Sequence, residues 1–180
     1  INSTIKNCTN GIEILSSKGY TGGIIEKIDG ESVIDSCNNT AKIESTGNCG
    51  DEYGNARLGG IVGNMINASI SSCINKGTIT SEGRRVGGIV GQMNSDDDDN
   101  IVTTIQYSYN EGEVVSNKDY VGGIIGCSSN INNILNCYNI ANITTEEGNT
   151  GGIAGIVTKV NSVIEKCYNT GNIDGKFSKN

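Results

Sequence analysis

The feature that most constrains this chain is a phrase that returns at fixed phase. Gly-Gly-Ile stands at Gly22-Gly23-Ile24, Gly59-Gly60-Ile61, Gly87-Gly88-Ile89, Gly122-Gly123-Ile124 and Gly151-Gly152-Ile153, in steps of 37, 28, 35 and 29 residues. Between these copies falls a second phrase, Ile-x-x-Cys-x-Asn-x-small-x-Ile, anchored on Cys8, Cys37, Cys73, Ser108, Cys137 and Cys167 in steps of 29, 36, 35, 29 and 30 residues. The longer steps contain insertions, so the unit is about 29 residues, inside the window that signals solenoids, propellers or arrays.

Each position of the second phrase carries its own meaning. Three residues before the Cys stand Ile5, Ile34, Ile70, Ile105, Ile134 and Ile164, a core ladder. Two residues after it stand Asn10, Asn39, Asn75, Asn110, Asn139 and Asn169. Asn tolerates the left-handed backbone of a sharp corner, and its amide both donates and accepts along a stack. The expectation is an asparagine ladder at a corner. Four residues after the Cys come Ile12, Ala41, Gly77, Gly112, Ala141 and Gly171, and six after it Ile14, Ile43, Ile79, Val114, Ile143 and Ile173. With polar residues between them, this is the alternation of a half-buried strand.

Three short strands and three corners per unit, with like residues at like positions, predict an all-β parallel β-helix of six coils, with a right-handed wind expected. The 180 residues then form a single β-solenoid domain, expected to be a fragment or processed piece of a longer protein. Composition agrees: 26 Gly, no Pro and no Trp, with many β-branched residues and Asn, suit strands and turns rather than helices. A net charge of −7, without a Lys/Arg cluster in the sequence, disfavours nucleic acid as a partner. No apolar run approaches the ~18 to 20 residues that span a bilayer, so membrane insertion is not expected.

Two insertions break the regularity. One, Ser45 to Arg57, lengthens the Cys37 to Gly59 link by 8 residues over the usual 14, and the other surrounds Ser95 to Asn100. Insertions in solenoids become loops on one face, where special function would sit.

The phrases Gly59-Gly60-Ile61-Val62-Gly63, Gly87-Gly88-Ile89-Val90-Gly91 and Gly122-Gly123-Ile124-Ile125-Gly126, each followed by Cys-x-Asn-x-small-x-Ile (with Ser108 in place of the Cys after the second), resemble the GLUG-motif repeats of bacterial surface proteins. The resemblance spans essentially the whole chain and implies a secreted bacterial β-solenoid module at the cell surface, adhesin-like or beside a surface peptidase. It brings no catalytic residues. Two copies depart from it, with Glu26 where the last Gly stands and Ala154 in place of the larger aliphatic.

The chemistry legible in the residues is sparse. Free thiols are expected at Cys37, Cys73, Cys137 and Cys167, because side chains stacked in parallel register have poor torsion for a disulfide, and a buried thiol behaves as a small hydrophobe. There is no His and no paired Cys-x-x-Cys, so neither a metal nor another cofactor is expected. Cys49 and Cys127 lie off the ladder and read as ordinary thiols, with a reactive thiol or a bond to another chain as the alternative, and Asp96 to Asp99 read as a solvated tip rather than a calcium loop. Without a nucleophile motif or a convergent acid-base pair, the chain is expected to be non-enzymatic.

Two roles remain open: a rigid stalk, adhesin or filament-forming segment, and a module that binds a glycan or a protein. An accessory domain of a surface peptidase or polysaccharide-degrading enzyme is a weaker third. Tyr109, Tyr138 and Tyr168 follow the ladder Cys and should stack on an outer edge, as a ligand surface or a plain corner cover. The adjacent apolar ladder Ile25, Val62, Val90 and Ile125 faces outward in a straight strand and would support self-association, unless a bend buries both ladders.

Overall fold

The computed structural model describes residues 2–17, 19–47, 55–94, 102–129 and 132–175. Cys49 and Asp96 to Asp99, with most of both insertions, lie outside them. Among the described residues every strand pairs in parallel with its equivalent one repeat away, in five sheets: three six-stranded and two five-stranded. The chain is a parallel β-solenoid, and each unit is one coil.

One coil shows how the sequence makes the turn. The first sheet takes Thr103–Gln106, the second Tyr109–Asn110, the third Val114–Ser116, the fourth Val121–Gly122 and the fifth Ile125–Ser128. Five short strands thus replace the three expected. The Ile-x-x-Cys phrase is broken into two by the residue before the ladder position, which adopts a left-handed backbone in every coil: Asn7, Ser36, Ser72, Tyr107, Asn136 and Lys166, with φ between 49° and 56°. The ladder asparagines, expected to hold that corner with their own backbone, lie in the second sheet instead, and their contribution is made by the side chain. The Gly-Gly-Ile phrase is a corner rather than a strand: the fourth sheet ends at the first Gly and the fifth begins after the Ile.

That corner settles the two adjacent apolar ladders. Ile61, Ile89 and Ile124 are fully buried, and so are Val62, Val90 and Ile125. Ile25 packs against the same cluster. Because the chain bends between neighbouring positions, both side chains reach one interior, which a straight strand forbids. The outward strip Ile25, Val62, Val90 and Ile125 therefore does not exist as an association surface.

The interior is divided. One apolar cluster joins the first-sheet isoleucines Ile34, Ile70, Ile105 and Ile134 with Met65, Met93 and the Gly-Gly-Ile ladders. A second joins Ile43, Ile79, Val114 and Ile143 of the third sheet with Leu58, Val86 and Val121 of the fourth. Burying each such side chain contributes about 1.5 to 3 kcal/mol. Between the clusters the asparagine ladder meets the second Gly of Gly-Gly-Ile across the coil. A Cβ placed on Gly60 would lie 2.5 Å from Asn75 Cγ, one on Gly123 2.5 Å from Asn139 Cγ, and one on Gly152 2.5 Å from Asn169 Cβ. Only a residue without a side chain fits this waist.

Candidate functional surface

At the waist Asn39, Asn75, Asn110 and Asn139 each make the same bonds. Nδ2 donates to Oδ1 of the Asn in the next coil, from Asn10 through Asn39, Asn75, Asn110 and Asn139 to Asn169, at 2.6 to 2.8 Å. The other Nδ2 hydrogen goes to the carbonyl two residues on, such as Gly77 from Asn75 at 2.9 Å and Gly112 from Asn110 at 2.8 Å. Asn39, Asn75, Asn110 and Asn139 are wholly buried. Both amide hydrogens are used, so the stack is satisfied without water.

The cysteine ladder is a hydrogen-bonding one as well. The thiols of Cys37, Cys73, Cys137 and Cys167 donate to the carbonyls of Asp35, Ser71, Leu135 and Glu165 at 3.2 to 3.4 Å. Sulfur in turn accepts the amide N–H of the preceding coil, as Cys73 does from Cys37 and Cys167 from Cys137, both at 3.4 Å. Ser108 performs the same two functions, donating to Gln106 O at 2.9 Å and accepting Cys73 N–H at 3.1 Å. This explains why a hydroxyl replaces a thiol here, which a purely hydrophobic reading of the ladder leaves unaccounted for. All six described cysteines, Cys127 included, are free thiols. Burial pushes Cys73 and Cys137 up to about 12, so they stay protonated and unreactive.

Tyr109, Tyr138 and Tyr168 occupy the same strands as the asparagines but face outward. Their rings stack with centroids 4.5 and 5.1 Å apart and planes within 6° and 9° of parallel. Burial, followed by the Tyr109 charge, raises the Tyr138 phenol above its ordinary value. The stacking has a chemical consequence: ring faces, the part of an aromatic that packs on a sugar, are turned against one another. What the strip offers outward is ring edges and hydroxyls, with exposed Tyr107 and Ile140 nearby in the sequence.

Sequence reasoning missed two groups. The first is a buried hydroxyl ladder, Ser45, Ser81, Ser116 and Thr145, capping the turn after the third sheet; Ser81 accepts Gly83 N–H at 3.0 Å and Ser116 accepts Lys118 N–H at 3.1 Å. It was legible as a hydroxyl eight residues after the ladder Cys. The second gathers Arg57 with the adjacent pair Arg84-Arg85 in neighbouring strands of the fourth sheet, although 27 residues separate Arg57 from Arg84 in the sequence. Arg57 stacks on Tyr20 and Arg84 on Tyr120, at 4.6 and 4.5 Å from the ring centroids. Arg84 Nη2 donates to Asp119 Oδ2 at 2.6 Å. Arg57 and Arg85 both donate to the side-chain Oε1 of Gln92, Arg85 at 2.9 Å. Burial, then the charge of Arg85, lowers the Arg57 guanidinium below its ordinary value. Stacking and shared acceptors make this a seam between coils.

Among the described residues no group of three or more His, Cys, Asp or Glu is placed to hold a metal ion. No family model matches the chain, and neither a curated protein nor a solved structure matches it. The resemblance to GLUG repeats rests on the residues that carry it.

Proposed function

We propose that this chain is a non-catalytic, rigid repeat module of a secreted bacterial surface protein, acting as a stalk or spacer that holds other parts of its parent away from the cell. One observation carries the reading. Among the described residues the inward Ile, Asn and Gly-Gly-Ile positions form ladders packed or hydrogen-bonded coil to coil, while the outward positions of the second sheet change from coil to coil, as in Thr9, Asn38, Ile74, Tyr109, Tyr138 and Tyr168. A scaffold under selection for stiffness and reach has this pattern, with coils added at about 4.8 Å each.

The test lengthens the rod inside its parent protein. Three further copies of residues 111–139 inserted after Asn139 preserve the register and extend the module by about 14 Å. A stalk keeps its parent's function and displaces the attached parts by that distance, measured by electron cryotomography. Staining of intact cells checks the location: a segment reached only after permeabilisation sinks the surface reading.

A recognition role through the Tyr strip is the second reading, favoured by the exposure of three stacked rings along one edge. Its ligand would be a glycan or protein that contacts ring edges and hydroxyls. A glycan array probed with the chain and with its triple Tyr→Ser variant separates the two roles.

A further inference from the structure

Two positions of the repeat are crowded by the preceding coil: the last Gly of Gly-Gly-Ile-x-Gly has no room for a side chain, and the position four after the ladder Cys takes nothing larger than Ala41 or Ala141 in a coil stacked on another. At the last Gly of the Gly-Gly-Ile-x-Gly phrase, a Cβ on Gly91 would lie 2.5 Å from Leu58 N, one on Gly126 2.5 Å from Arg85 C, and one on Gly155 2.5 Å from Tyr120 C. At the small position four residues after the ladder Cys, a Cβ on Gly77 would lie 2.5 Å from Ala41 C and one on Gly112 2.7 Å from Gly77 C. All of these neighbours are backbone atoms of the coil before. Backbone cannot withdraw without breaking the parallel ladder it belongs to, so a stacked coil excludes any substituent at the first position and one larger than a methyl at the second.

The first coil, residues 4–28 (coil 1), violates both rules, and no other coil violates either with a side chain larger than a methyl. It carries Glu26 at the first position and Ile12 at the second. Both are exposed, Ile12 to 78%. Two unrelated positions, one in the fifth sheet and one beyond the second, depart from the pattern in the same coil and toward the same side.

We infer that coil 1 is a terminal coil by construction: the Ile12 and Glu26 side chains fill the space in which another coil of this repeat would have to lay its backbone. The face is closed to a further GLUG-like coil in the same chain and to the last coil of a second copy. Head-to-tail stacking of copies through coil 1 is thereby blocked, whatever sequence lies upstream, while a segment of a different path can still cover the face. Open strand edges otherwise invite such stacking, and a charge is a usual means of blunting them.

An added coil tests this. A copy of residues 132–161 joined directly ahead of Ser3 supplies a coil in the correct register, with its Asn139 equivalent poised to donate to Asn10 Oδ1. In the parent background this coil stays undocked and its amides exchange freely. With Ile12→Gly and Glu26→Gly, the residue type that most other coils use at these positions, it docks and its amide protection rises by roughly 100-fold. Thermal unfolding of the double variant without the added coil confirms that the body still folds. Equal protection of the added coil in both backgrounds, high or low, overturns the inference.

Discussion

Asn139 and Tyr138 are neighbours in one strand, and each belongs to a stack of like residues, yet the two stacks obey different rules. The inward one is Asn in all six coils, because it must hand one amide hydrogen to the next coil, return the other to its own turn, and fit against a Gly across the waist. The outward one begins as Thr9, Asn38 and Ile74 before it becomes Tyr. Identity is enforced where geometry, hydrogen bonding and space act on the same atoms. On the outside, stacking is a local preference that any residue can forgo.

The strongest way to break the comparison is at the waist. Gly88→Ala places a Cβ 2.6 Å from Asn110 Oδ1 and closer still to the Gly123 carbonyl oxygen. With backbone on the far side there is nowhere to yield, and we expect a loss of more than about 4 kcal/mol or no cooperative folding, measured by denaturant titration. A loss below about 1 kcal/mol would show that the two lobes are not pinned together here.

Asn110→Ala comes next. It removes the acceptor of Asn75 and the donor to Asn139 and Gly112, and groups left unsatisfied cost about 1 to 3 kcal/mol each. We expect a total loss of about 2 to 5 kcal/mol. A change of a few tenths would mean that the amide ladder is incidental.

The thiol ladder should respond to hydrogen bonding more than to size. Cys73→Ser keeps the donor to Ser71 O and the acceptor for Cys37 N–H, as Ser108 does one coil on, and should cost less than Cys73→Ala by about 1 kcal/mol. Its pH signature has a definite sign. Cys73 and Cys137 titrate at about 12 in the fold against 9.0 for an ordinary thiol. The unfolded chain therefore releases protons that the folded one still holds, and stability falls as pH rises from 9.0 toward 12. Substituting both by Ser should flatten that part of the pH profile. Native thiol labelling of Cys37, Cys73 and Cys137 should likewise be slow until the chain is unfolded.

The smallest effect belongs to the outward stack. Tyr138→Ser removes ring contacts with Tyr109 and Tyr168 but leaves the backbone ladder intact, for an expected loss of about 1 kcal/mol. A loss as large as that of Asn110→Ala would erase the distinction between the two stacks.

Much of this was legible before any coordinates, and for a simple reason. A solenoid repeats its environment with its sequence, so any position needing one residue type shows that type at fixed phase. The coil length, the parallel stacking, the isoleucine and asparagine ladders and the alignment of three tyrosines all follow from phase alone. Phase does not report direction or bending. Whether Val62 and Val90 face in or out depends on a corner between adjacent residues, and only the fold shows that the chain turns there and buries both. The division of the core, the Gly–Asn waist and the meeting of Arg57, Arg84 and Arg85 likewise join residues from opposite sides of a coil or from different coils. Those distances are created when the chain closes on itself, and no spacing along the sequence contains them.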